Sequence, residues 1–380
     1  MKQNYEENLK LVHEGIACTN TKPISTFSGG APLAQIGGLT VAQFVEDPVA
    51  GAKAAFKAVD MVQEIAGPIH TFNSGPGSLN MVTLITLLWY SKVMIPGVEI
   101  PENSVWQVKE QKLIDRDAYP KIKEMGYTKF VNQEILPRII DMEYFSKYIK
   151  YAGEHGTEVN QLYLDAGIPK MQWGMATMIP FEQLCGMRSM TQFYMDCYKK
   201  LDELKELSDI IFEETAADKA KQLEAVRDNP NWIGAWVGGW RTASKLLNPK
   251  IWEALVWPYM KASAKQLISY GKTPILHLDQ DWTRDIARFS ELPSGKIVLN
   301  TDSMTDVREI RKQLPGYAIM GDVPPTLLTS GTPEQVTDYV KKLINDLGPD
   351  GFFVCPGCDC PVNAKLENIA AMVKATNEWT

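Results

Sequence analysis

The chain has 380 residues, 45% of them hydrophobic and 22% charged, which is enough for a packed core in one large domain or two ordinary ones. A formal charge of -7 argues against nucleic acid or an anionic membrane as the main partner, and no apolar run reaches the ~18 residues of a membrane span. The charged N-terminus lacks the apolar stretch of a secretory signal, so a cytoplasmic location is expected, with the six cysteines as reduced thiols or metal ligands.

The first 35 residues are polar and then loop-like, and residues 1–45 are expected to form an extension packed on a domain spanning 46–380. Residues 48–67 carry apolar side chains at helical spacing. The apolar run 78–93 fits a buried helix or a buried strand equally, since periodicity does not separate them. Residues 116–139 read as an irregular excursion with a short helix, and 141–156 as an amphipathic helix stopped by Gly156. Short strand or loop candidates follow at 162–168 and 172–180, then two helices over 181–226 and a glycine-bearing aromatic strand at 231–240. From there the alternation is regular: helix 248–271, strand 273–279, helix 282–292, strand 296–302, helix 304–314 and strand 317–323. Helix 332–348 opens at Thr332 with Glu334 and Gln335 in its first turn, and strand 351–357 and helix 363–379 complete the series. Alternating short strands and helices imply parallel pairing through crossover helices. The number of strand candidates favours a closed (β/α)8 TIM barrel with an N-terminal extension over an open sheet, and no Gly-rich dinucleotide fingerprint follows any strand.

In such a barrel, chemistry collects where strands end. The endings supply His277, Asp279 and Asp281, then Asn300 and Asp302, then Asp322, then Cys355, Cys358 and Cys360. His277 and Asp279, two apart at one strand end, with a thiolate from the last strand, are a ligand set for zinc with one coordination position left to substrate. The alternative is a neutral imidazole that fixes a loop through hydrogen bonds. Trp173, Met175 and Met178, and the run containing Trp236 and Trp240, suit either ordinary core or an apolar substrate pocket. Asn73 opens the stretch NSGPGS, which fits a plain turn or a glycine-rich anion cradle.

The segments SKLLNPKIWEALVWPYMKASAKQLISYGKTPILH, YAIMGDVPPTLL and PGCDCPVNAKLENIAAMV resemble the uroporphyrinogen decarboxylase superfamily, most closely over residues 230–375. The resemblance implies a (β/α)8 barrel and two chemistries: cofactor-free decarboxylation of uroporphyrinogen, or zinc-dependent methyl exchange with a corrinoid carried by a partner protein. The methyltransferase pattern of His-x-Cys and a later Gly-Cys falls on His277, Asp279 and Cys358, with Asp279 in place of cysteine. A carboxylate is a harder ligand than a thiolate and leaves zinc more Lewis-acidic, which suits polarising an oxygen. The expectation is therefore a methyltransferase. It would move methyl from a small methylated substrate, such as a methoxylated aromatic, to a separate corrinoid protein, with Asp281, Asp302 and Asp322 as candidate acids. The reverse transfer, from corrinoid to a thiol or pterin, is the first alternative. Decarboxylation is the second, and it is disfavoured because no arginine precedes Arg116 to hold a polycarboxylate.

Overall fold

The computed structural model describes residues 4–74 and 86–380, the side chains of 173–175 excepted. Eight parallel strands form one curved sheet: β1 (Ile24–Phe27), β2 (Thr71–Phe72), β3 (Gln172–Thr177), β4 (Gly234–Gly239), β5 (Thr273–Leu278), β6 (Val298–Thr301), β7 (Ala318–Val323) and β8 (Phe352–Pro356). Neighbours run in the order β2-β1-β8-β7-β6-β5-β4-β3. The ring closes between its ends, where Phe72 bridges Lys170 in parallel and Met171 N donates to the Phe72 carbonyl at 2.8 Å. The fold is a (β/α)8 barrel, as the strand count led one to expect.

Strand alternation sorts the side chains into two cores. Ile275, Val298, Ala318, Met320, Phe353 and Cys355 pack inside the barrel. Ala235, Val237, Leu276, Leu299, Ile319 and Phe352 face outward into the larger core under the helices. Helix Tyr5–Ile16 closes the bottom, where Leu9, Val12 and Ile16, spaced for one helical face, join the inner cluster.

The structure departs from the sequence reading at the N-terminal half. Residues 1–45 are not simply an extension on a barrel beginning at 46: β1 lies within them and pairs with β8, Ile24 opposite Phe353. The helix expected to stop at Gly156 runs from Met142 to Ala166 and ends at Gly167, whose left-handed backbone caps it. The strand candidate 162–168 is that helix's last turn and its exit. Half of the apolar run 78–93, residues 78–85, lies outside the described residues; 86–89 are helical and Lys92–Met94 form a strand.

Candidate metal centre

β5 delivers His277 pointing inward, beside Gly238 of β4 and Asn300 of β6 in the ladder. Its ring is fixed from behind. Asn300 is fully buried, and its Nδ2 donates to the Met320 carbonyl at 3.3 Å, so its Oδ1 is the acceptor facing His277 Nδ1 at 2.7 Å. Nδ1 therefore carries the hydrogen, and Nε2 turns to the barrel mouth. Asn73 Nδ2 donates to the same Asn300 oxygen at 3.3 Å, and Gln172 Nε2 donates to Asn73 Oδ1 at 2.5 Å. Asn73 is thus a member of the network behind the histidine.

At Nε2 a carboxylate and a thiol converge. Asp279 Oδ1 lies 3.1 Å away and Cys358 Sγ 3.9 Å away, and donor atoms of all three residues fall within 4.8 Å of one another. Tetrahedral zinc with these ligand types requires edges of roughly 3.3–3.6 Å, so the set would draw in by up to about 1 Å to close on the ion. Desolvation pulls the His277 imidazole down, yet Asp279 and Cys358 beside Nε2 hold it well above the usual histidine range. Burial raises the Cys358 thiol, against the hydrogen bond from His277. A nitrogen lone pair facing a carboxylate calls for a cation between them, a proton or a metal ion. The donor set fits zinc.

Cys358 reaches this position through a tight turn after β8. Its backbone is left-handed (φ 69°), and the turn is pinned by Gly357 N to Val323 O at 2.8 Å and Cys360 N to Ser28 O at 2.9 Å. Asp359 accepts from Ser28 at 2.6 Å and Ser74 at 3.1 Å, which ties the turn to the ends of β1 and β2. Cys355 and Cys360 are buried in the inner and outer cores respectively, and neither joins the triad.

The three candidate acids separate. Asp322, nearly buried on β7, is raised to about 7 by desolvation, with Thr301 donating to it at 3.4 Å. Asp302 is also raised by burial, against backbone donors Gln280 N at 2.8 Å and Met304 N at 3.0 Å. Asp281 does not belong with them. Its Oδ1 accepts from Thr283 N at 2.9 Å and its Oδ2 faces Lys245 Nζ at 3.5 Å, interactions that lower its pKa and make it a loop fastener rather than an acid.

Trp236 leans over the His277 ring at 5.6 Å between centroids. Trp89, which no sequence pattern singled out, packs 6.3 Å from Trp236 and 4.6 Å from Trp240. Met178 is not part of this wall; it lines a separate cavity of about 200 Å³ with Leu87, Lys219 and Ser263. The side chains of Trp173 and Met175 lie outside the described residues. No helix among the described residues is long and apolar enough to cross a membrane.

Residues 170–379 match the family model described as Uroporphyrinogen decarboxylase (URO-D). No curated protein matches the chain. Among solved structures, the chain is similar to a methyltransferase from Methanosarcina mazei, with a TM-score of 0.67 at 15% identity over 99% of each chain. It is also similar to a B12-independent methionine synthase from Shewanella sp. W3-18-1 in complex with selenomethionine. That likeness has a TM-score of 0.49 at 14% identity and covers 94% of this chain and 98% of the other.

Proposed function

The chain belongs to the uroporphyrinogen decarboxylase (URO-D) family, and from that premise we propose a zinc-dependent methyltransferase that moves a methyl group from a methoxylated aromatic to the cobalt of a corrinoid on a separate protein. The observation that carries this reading is the convergence of His277 Nε2, Asp279 and Cys358 at the barrel mouth. His277, Asp279 and Cys358 would hold the zinc, which when bound supplies Lewis acidity toward an ether oxygen.

The protein's own groups do the rest. Asn300 holds the imidazole in the tautomer that leaves Nε2 free to bind. Trp236 offers an apolar surface beside the histidine. Asp322, protonated below about pH 7, would be the acid for the departing oxygen. As the methyl carbon bonds to the electron pair of the partner corrinoid's reduced cobalt, the carbon–oxygen pair would stay on oxygen and the Asp322 proton would neutralise it, leaving the Asp322 carboxylate. Decarboxylation of a polyanion fits less well: Arg116, the first arginine in the chain, is committed to Asp196.

Metal analysis tests the centre. The purified protein should hold about one zinc per chain, and His277→Ala and Cys358→Ala should lose it. With reduced corrinoid protein, demethylation of a methoxybenzene should follow the metal content. Wild-type protein that binds no zinc, or transfer unchanged in Cys358→Ala, overturns the reading.

A further inference from the structure

A second polar group sits at the mouth that the proposed chemistry does not use. Glu182 is fully buried in helix Pro180–Arg188, which follows β3. Its Oε1 accepts from Arg241 N at 2.6 Å and from Thr242 Oγ1 at 3.2 Å, both just beyond β4. Its Oε2 is buried with no hydrogen-bond partner, and Arg241 Nη1 stands off at 3.9 Å. Leaving a buried acceptor without a hydrogen bond is unfavourable, the more so for a charged group, so the position calls for a donor from outside. Trp89 Nε1 is likewise buried without an acceptor. Trp89 packs against the same helix, where a Cβ on Gly186 would meet its carbonyl oxygen at 2.0 Å and Arg241 Nη1 at 3.4 Å. The Arg241 guanidinium lies 4.2 Å over Trp240, which touches Trp89. An orphaned acceptor and an orphaned donor therefore share an aromatic wall that ends at His277.

We propose that this wall selects the methyl donor, and that the donor is a methoxyphenol whose free hydroxyl donates to Glu182 Oε2 while its ring lies along the tryptophans. The inference rests on the aryl-ether reading of the site. A neutral donor fits better than an ammonium group, because Arg241 already balances the Glu182 charge and covers the Trp240 face. A ligand carboxylate in that position would stand against the Glu182 carboxylate itself.

Calorimetric titration of the zinc-loaded protein, without the corrinoid partner, tests it. Each of the three methoxyphenols is compared with its dimethoxybenzene. The best methoxyphenol should bind at least about tenfold tighter than its partner, as expected for a hydrogen bond to a charged group. Glu182→Gln keeps an acceptor toward Arg241 and Thr242 but puts a donor at the orphaned position, so the preference should vanish. Glu182→Asp, which withdraws the carboxylate yet keeps its charge beside Arg241, should lose it too. Thr242→Val, which spares Oε2, should keep it. Equal binding of the two classes to wild type, or a preference that survives in a folded Glu182 variant, overturns this assignment and leaves the aryl-ether reading standing. If neither class binds the wild-type protein, the aryl-ether reading fails and this inference falls with it.

Discussion

At the scale of single residues, the mouth contrasts carboxylates of the same chemical type in opposite states. Asp281 is stabilised as an anion by the Thr283 amide and Lys245, whereas Asp322 is pushed to about 7 by burial. The sign of the second effect gives a pH prediction. Burial disfavours the charged form, so the Asp322 carboxyl keeps its proton below about pH 7 and, in the proposed role of acid, could act only there. Methyl transfer should fall as pH rises through about 7, and Asp322→Asn should remove that limb while slowing transfer by about 10²–10⁴-fold. The same shift links to stability. The folded state holds this proton more tightly than the unfolded chain, so its stabilisation is complete below about pH 4 and lost as pH rises through about 7. Melting curves at pH 5 and pH 8 should therefore show Asp322→Asn gaining on the wild type at the higher pH; a constant difference argues against an unusually basic Asp322. His277 and Asp279 stood out in the sequence because they end a strand-like run, whereas Cys358 was separated from Cys355 and Cys360 only by the resemblance to the Gly-Cys pattern. Asn300, Glu182 and Trp89 were not legible in these roles. Asn300 meets His277 from 23 positions away, across a ladder whose register no local pattern reveals.

At the scale of elements, a strand's alternation and its smallest residue work together. Trp236, Gly238 and His277 face the barrel interior at neighbouring positions of β4 and β5. A Cβ on Gly238 would lie 2.1 Å from Trp236 Cη2 and 2.2 Å from Cζ3, so the glycine makes room for the indole to fold along the strand toward the histidine. Gly238→Ala should displace the indole and weaken aryl-ether binding by about tenfold, the scale of one lost aromatic contact. Zinc content should not change, since Asn300 fixes His277 independently. Titration with a methoxybenzene beside metal analysis separates the two effects, and loss of zinc would show that Trp236 supports the centre itself. Elements β4 to β8 were readable because each is a short, mostly apolar run followed by a helical pattern, while β3 (QWGMAT) read equally as strand or loop. β1 and β2 were missed because they span four and two residues, rich in serine and threonine, and owe their pairing to neighbours distant in sequence.

At the scale of the whole molecule, the barrel keeps its two ends apart: the cluster of His277, Asp279 and Cys358 lies at the mouth, and helix Tyr5–Ile16 plugs the other end. The plug sits so close that a Cβ on Gly15 would fall 2.4 Å from Ile24 Cδ1 and 2.6 Å from Phe353 Cζ, both on fully buried residues. Two effects of substituting Gly15 oppose each other. Replacing a helical glycine with alanine gains up to about 1 kcal/mol of helix propensity, and β-branched valine gains less. Forcing extra carbons into a filled core costs about 1–3 kcal/mol. For Gly15→Val the steric term wins, because valine brings three carbons into space that does not admit one. The expected outcome is a melting temperature lowered by several degrees, with zinc content per folded chain unchanged, since no triad residue touches the plug. Thermal melts followed by metal analysis of the native fraction check both halves. An unchanged melt would mean that the helix does not seal the barrel as described, and a melt lowered together with zinc loss would mean that bottom and mouth are coupled through the inner core.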